Sequence, residues 1–246
     1  MQIKPIGKRG ALFIFDDLDG METTVYAIKG SKNIFLIDTF LGPDSMAPVK
    51  EYLAAKFGDK PVIIFNTHYH WDHIWGNCAF DGANIYSHRL CRRAILEKGH
   101  RELEEFSRYK KGTVKIVFPN ITFNDRLMFE DEEIEIFYSP GHTIDSASLF
   151  DHQDSVLVAG DNIEAPLPYL MWPDLEGYCL TLEGYKTLNP KYIISGHCPE
   201  VSLKMLDDNL QYLRDLISGN AKKYEQGNFR DTHLQNVKTI GYEENG

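Results

Sequence analysis

Cysteine is scarce in this chain. Its four cysteines, Cys78, Cys91, Cys179 and Cys198, form no C-x-x-C pair and no small disulfide framework, so reduced thiols are expected. Long apolar runs are missing as well. The segment "ALFIF" at 11–15 follows a few basic residues (Lys4, Lys8, Arg9) but stops at Asp16 and Asp17, too short for a secretory signal or a membrane span. A cytoplasmic protein with no membrane partner is the expectation. Positive charge is in deficit: 26 Lys plus Arg against 36 Asp plus Glu give a formal net charge of −10, which argues against nucleic acid or an anionic membrane surface as partner. There is no internal repeat, no low-complexity tract and no linker that splits the chain.

What is present is ordinary globular material. With 246 residues, 43% hydrophobic and 25% charged, the chain is long enough to bury a substantial core. It reads as a single domain over 1–246 with a polar tail from about 220. Short β-rich runs at 11–15, 23–28, 33–38 and 62–66 are bounded by Gly, Asp, Asn or Pro, as strands are. Between the last two, Met46, Val49, Leu53 and Phe57 repeat near helical spacing, with Asp44 or Ser45 as the expected cap and Gly58 as the stop. The stretch 88–111 turns helical and Gly99 is expected to divide it. Strands are predicted again at 113–118, 126–130, 133–139, 146–150, 155–160 and 191–195, and helices toward Leu188 and over 202–218. Strand runs in both halves, with helices between and after them, predict two sheets packed together and covered by helices.

The chemistry is concentrated in "THYHWDHIWGN", Thr67 to Asn77. It follows the strand at 62–66 and so occupies a strand-end loop, where α/β proteins place their functional groups. In extended chain, residues two apart share a face, so His68 and His70 can meet one ion. If the backbone turns helical near Asp72, Asp72 and His73 swing to another side and can serve a second. Gly76 lets the chain pass closely. Three more ligand-type residues each follow a predicted strand and a nearby glycine: His142 in "SPGHT", Asp161 in "VAGDN" and His197 in "SGHCP".

This set resembles the metallo-β-lactamase superfamily, whose motifs are H-x-H-x-D-H, then a His, a bridging Asp and a final His; the resemblance runs from "LIDTF" through "SGHCP". It implies a four-layer αββα sandwich of the α+β class, with the metal site at one edge of the two sheets. By the same resemblance His68, His70 and His142 hold one metal, Asp72, His73 and His197 the other, Asp161 bridges them, and Asp38 lies behind the loop and orients a ligand. Five imidazoles and two carboxylates suit two divalent ions, zinc first, with iron or manganese also able to bind. The implied activity is that of a hydrolase. Its dinuclear zinc-type centre and bridging hydroxide would cleave an ester, thioester, lactone or lactam of a small substrate, with Asp72 taking and returning the proton.

Several branches of the superfamily fit less well. The best-known β-lactamases have Cys where Asp161 stands. The acyl-homoserine lactonases carry a Tyr shortly after the bridging Asp, where this chain has Glu164, with Tyr169 further on. Glyoxalase II-like thioesterases match the ligands but have a longer basic C-terminal segment. A mononuclear non-haem iron persulfide dioxygenase is the alternative on the same scaffold. Tyr69, Trp71, Tyr169 and Trp172 are the aromatics expected to line the substrate pocket. The sequence leaves open whether 88–111 is a lid, a dimer contact or a solvated helix, and whether the protein is a homo-oligomer.

Overall fold

The β-rich first third pairs with itself before any large helix intervenes. The computed structural model describes residues 1–241. Its first sheet contains β1 (Gln2–Ile6), β2 (Gly10–Leu18), β3 (Met21–Lys29), β4 (Ile34–Ile37), β5 (Val62–Asn66), β6 (Asn84–His88) and β7 (Ile121–Phe123), side by side in chain order. Strands β1 to β4 pair antiparallel through tight turns, and β4 to β7 run parallel. The second sheet contains β8 (Arg126–Phe129), β9 (Ile134–Tyr138), β10 (Ala147–Asp151), β11 (Val156–Gly160) and β12 (Tyr192–Ser195), again in chain order across the sheet. Its last pair is parallel, as the intervening helix α4 (Leu175–Thr187) requires. The other helices are α1 (Pro43–Tyr52), the single turn α2 (Trp71–Ile74), α3 (Arg89–Glu105), α5 (Leu203–Ile217) and α6 (Arg230–Ile240).

Alternation along the strands sorts the side chains into three apolar layers. On β2, Phe13 and Phe15 face outward and pack with Met46 and Val49 of α1 and Ile95 of α3. Leu12 and Ile14 face the other way, toward Ile136, Leu149 and Val158 of the second sheet. The outer face of that sheet, through Leu157 and Ala159, meets Leu182 of α4 and Leu206, Leu210 and Leu213 of α5. Helix, sheet, sheet, helix is thus the layer order. This is the four-layer αββα sandwich that the sequence predicts.

Several local expectations are corrected. No strand forms at 113–118. Val114, Ile116, Val117 and Phe118 instead pack along the helix-covered face of the first sheet, with no strand beside them to pair, and the sheet edge is taken by β7, which the sequence reading missed along with β1 and β6. Helix α3 runs unbroken through Gly99. A Cβ there would lie 3.3 Å from Ile95 of the same helix and at an ordinary contact distance, 3.7 Å, from Ile116, and one interior glycine is not enough to end the helix. Helix α1 starts with Gly42 as its cap and has no side-chain cap bond from Asp44 or Ser45. The polar tail is structured: Asn236 of α6 is fully buried, its Oδ1 accepting from Leu170 N at 2.9 Å and its Nδ2 donating to the Pro168 carbonyl at 2.8 Å.

One carboxyl clamps the two sheets together at the end of the β3–β4 turn. Glu132, between β8 and β9, accepts from the backbone N–H groups of Lys32 at 2.9 Å and Asn33 at 3.0 Å, and from that of Ser31. Burial raises its pKa, but these donors outweigh burial and hold it below the ordinary 4.5. Its contribution is therefore present in full above about pH 4.5 and is lost as pH falls through the lower folded value. Glu132→Ala is expected to cost about 2 kcal/mol at neutral pH. In denaturant titrations, the gap between wild type and variant should close as the medium is made more acid than that window.

Candidate metal centre

Strand β5 ends in Asn66 and releases Thr67–His70 as a loop at the edge of the sandwich, and α2 then turns Asp72 and His73 to a second side. The loops after β9, β11 and β12 bring His142, Asp161 and His197 to the same place. All seven residues that the sequence singled out converge there. His68 Nε2 lies 2.9 Å from His70 Nδ1, and His142 Nε2 lies 3.2 Å from that same His70 nitrogen. On the other side, His73 Nε2 is 3.4 Å from His197 Nε2, and Asp72 Oδ2 is 3.3 Å from His197 Nε2 and 3.8 Å from His73 Nε2. Asp161 Oδ2 stands between the two sets, 3.4 Å from His68, 3.3 Å from His73, 3.4 Å from His197 and 3.8 Å from His142.

The far nitrogens of three of these rings are fixed by acceptors. His73 Nδ1 donates to Asp38 Oδ2 at 2.9 Å, His142 Nδ1 to the Tyr169 carbonyl at 2.7 Å, and His197 Nδ1 to the Glu22 carbonyl at 3.0 Å. A carbonyl or carboxylate only accepts, so each Nδ1 carries the hydrogen and the inward Nε2 offers its lone pair when the ring is neutral. For His73 and His197, whose Nε2 atoms lie 3.4 Å apart, two such lone pairs repel unless a cation or a proton lies between them. Asp161 Oδ1, buried and without a hydrogen-bond partner, makes the same demand. Imidazole and carboxylate donors in two adjacent groups, His68, His70, His142 with Asp161 and Asp72, His73 with His197, fit divalent ions of the zinc type.

Backbone geometry permits this approach. At Gly196 a Cβ would fall 1.9 Å from Asp161 Oδ1 and 2.7 Å from the His73 ring. Gly76, expected from the sequence to allow a close pass, would place a Cβ 1.9 Å from the Thr39 carbonyl. Asp38 sits at φ 60, accepts from Thr67 N at 2.9 Å and Thr67 Oγ1 at 2.8 Å besides His73, and so ties the loop to the end of β4.

Electrostatics divide the rings. Burial holds His68 well below and His70 down to about 3, so both are neutral at physiological pH, and burial likewise lowers His142. His73 and His197 go the other way: burial opposes it, but the carboxylates of Asp161 and Asp72 push both well above the usual imidazole range. Burial alone would raise Asp72, yet His73 and His197 bring it to about 2. Glu164 is raised to about 8, by burial first and then by Asp161. Its carboxyl lies within reach of Asp161 and His197 and accepts from Tyr169 N at 2.9 Å. The sequence reading passed over it because a glutamate three residues beyond a ligand has no spacing signature of its own.

A cavity of about 490 Å³ opens over the ligands. Tyr69, Trp71 and Tyr169 line it, as expected, whereas Trp172 is not among its lining residues. Trp71 stacks on Phe106 (centroids 4.8 Å apart) and Tyr109 (5.2 Å), and Tyr109 Oη donates to Asp19 on the β2–β3 turn at 2.5 Å. The segment 88–111 is therefore a wall of the cavity: Arg101, Glu102, Glu105 and Phe106 all face it. The first three lie on one face of α3 and Phe106 directly follows its last turn, a signal indistinguishable in sequence from a solvated helix.

The αββα sandwich thus carries a histidine- and aspartate-rich edge that could hold metal ions. The chain belongs to the metallo-beta-lactamase superfamily, whose family model matches residues 18–197. A protein described as a probable metallo-hydrolase of Methanocaldococcus jannaschii is 30% identical over 142 residues, 55% of this chain and 56% of that one. An acyl-coenzyme A thioesterase of Bos taurus is 24% identical over 189 residues, 65% of this chain and 67% of that one. A hydroxyacylglutathione hydrolase of Synechococcus is 27% identical over 123 residues, 50% of this chain and 42% of that one. The chain thus spans between about two fifths and two thirds of these relatives. Among solved structures, a metallo-beta-lactamase from Pontibacter korlensis superposes with a TM-score of 0.69 at 18% identity, covering 87% of this chain and 99% of that one. No described helix is long and apolar enough to cross a membrane.

Proposed function

We propose that the chain hydrolyses an ester-like acyl bond of a small substrate with two zinc-type ions, one held by His68, His70 and His142, the other by Asp72, His73 and His197, and Asp161 shared between them. The observation that carries this reading is the position of Asp161 Oδ2, within 3.8 Å of four inward histidine nitrogens, with its second oxygen buried and unpartnered. Bound there, the ions supply Lewis acidity, which polarises an acyl oxygen and acidifies a water toward neutral pH.

The remaining steps belong to the chain. Asp72, whose Oδ2 lies 3.3 Å from His197 Nε2 and which the cationic surroundings keep ionised, would accept the proton of the attacking water and return it to the leaving group. The Tyr169 carbonyl and the Asp38 carboxylate keep His142 and His73 in one orientation, so the site is arranged before substrate arrives. Tyr69, Trp71 and Phe106 supply an apolar wall for a small organic acyl group. The thioesterase among the relatives favours a thioester as the first bond to assay.

Elemental analysis of protein purified without chelator is expected to give about two zinc-type ions per chain. Stripping them should abolish hydrolysis and lower Tm, because seven inward donors lose the charge that separates them. About one iron per chain, with oxygen uptake on a sulfur substrate, would overturn the hydrolase in favour of a dioxygenase.

A further inference from the structure

The hydrolytic reading uses no group from α3, yet α3 places one unusual carboxyl in the cavity. Glu102 is only 7% exposed and lines the same cavity as His70, Asp72 and Asp161. Its Oε2 is buried without a hydrogen-bond partner, and among the described residues neither of its oxygens is in a hydrogen bond or an ion pair. Two cations, Lys98 and Arg101, are near enough to lower its pKa, but neither pairs with it. Lys98, one turn earlier, donates to Tyr69 Oη at 3.0 Å and sits 4.2 Å from that ring's centroid. Arg101 is exposed at the mouth and makes no ion pair among the described residues.

The cavity wall that includes Glu102 mixes apolar and aromatic side chains, Tyr69, Trp71, Phe106 and Met171, with Arg101, Glu105 and Gln235, none of them hydrogen-bonded to Glu102. An acceptor set into such a wall without a donor is unfavourable. Among the described residues no donor is hydrogen-bonded to this carboxyl; its Oε2 is closed off, and the side chain reaches the cavity with the rest of its surface. Burial pushes its pKa up to about 7, Asp72 adding to burial and Lys98 working against it, as expected for a carboxyl that lacks a compensating partner.

We propose that Glu102 is a specificity-determining acceptor that binds a hydrogen-bond donor, an ammonium or a hydroxyl, carried by the substrate close to its scissile bond. This rests on the hydrolase reading for the reaction, not for the recognition. A substrate with a plain alkyl chain leaves the acceptor unpaired in a closed wall. One with a donor at the right place satisfies it, and a site built this way discriminates against the analogue that lacks the donor.

The test uses three thioesters of one thiol, with butanoyl, 3-hydroxypropanoyl and β-alanyl groups, on the metal-loaded protein. Wild type is expected to favour the two donor-bearing substrates over butanoyl by roughly tenfold or more in kcat/KM. In Glu102→Leu that ratio should fall to about one. Glu102→Gln, which keeps the shape and one acceptor oxygen, should retain a preference for the hydroxyl and lose that for the ammonium. Equal rates on all three substrates in wild type, or a ratio that survives in Glu102→Leu, would overturn the assignment. The corresponding amides, titrated by calorimetry, separate recognition from chemistry. If no thioester is cleaved but wild type binds the donor-bearing amides more tightly and Glu102→Leu does not, the hydrolase reading fails and the Glu102 assignment stands. If the amides bind alike, the assignment fails whatever the chain hydrolyses.

Discussion

Asp161→Ala is expected to reduce hydrolysis by ~10³-fold or more and to lower the bound metal from about two ions per chain toward one. Asp161 Oδ2 is the one carboxylate oxygen that faces both histidine groups, 3.4 Å from His68 on one side and 3.3 Å from His73 on the other. On the proposed dinuclear reading, removing it would leave two neighbouring cations without the negative charge that offsets them, so a second divalent ion would bind against the first without compensation. A loss of ~4 kcal/mol in transition-state stabilisation corresponds to that rate factor. Metal analysis and single-turnover assays on the same preparation check both parts. A variant that keeps two ions and near-normal rates would remove Asp161 from the shared position. Asp161→Asn is informative beside it, because it keeps the volume against Gly196 while removing the charge.

The second large effect falls on a residue that touches no substrate. Asp38→Ala removes the acceptor of Thr67 N, Thr67 Oγ1 and His73 Nδ1 at once, at 2.9, 2.8 and 2.9 Å. Three donors are left in a site where Asp38 is 3% exposed and Thr67 is 1% exposed, so the loss is expected to reach ~3–5 kcal/mol of stability. The left-handed backbone at φ 60 adds to it, since Ala tolerates that conformation less well than Asp. His73 also loses the partner that fixes its tautomer, so metal affinity should fall by roughly 10–100-fold. Chemical denaturation of the metal-free variant reads the first effect and metal titration of refolded protein the second. An Asp38→Ala protein with unchanged midpoint and unchanged affinity would show that Thr67 and His73 are held by other means.

The errors of the sequence reading follow from what local pattern can encode. "TVKIVF" has every local mark of a strand, but strand formation needs a free edge, and the edge beside β6 is occupied by Ile121–Phe123. Gly99 looks like a helix break, yet one interior glycine costs a helix only about 1 kcal/mol, and α3 runs through it. Helix α6 was missed because its inward face is mixed: Val237 and Ile240 pack against the core beside Asn236, which bridges to the backbone of Leu170 and Pro168, and such a face gives only a weak apolar period. The pocket wall on α3 was left open for a related reason. Helical spacing gives the shared face of Glu102 and Phe106 but not what that face looks onto.

The sequence by itself determined the layered sheets, through short apolar runs in both halves such as the 11–15 run of β2, buried on both faces, and it determined the seven ligand-type residues, because their side-chain chemistry and strand-end positions are local properties. Only the tertiary structure decided which nitrogens point inward, that Asp161 stands between the two groups, and that Glu102 is an acceptor left unpaired in the cavity wall. Those facts depend on hydrogen bonds and burial between residues tens to more than a hundred positions apart, which no local pattern specifies.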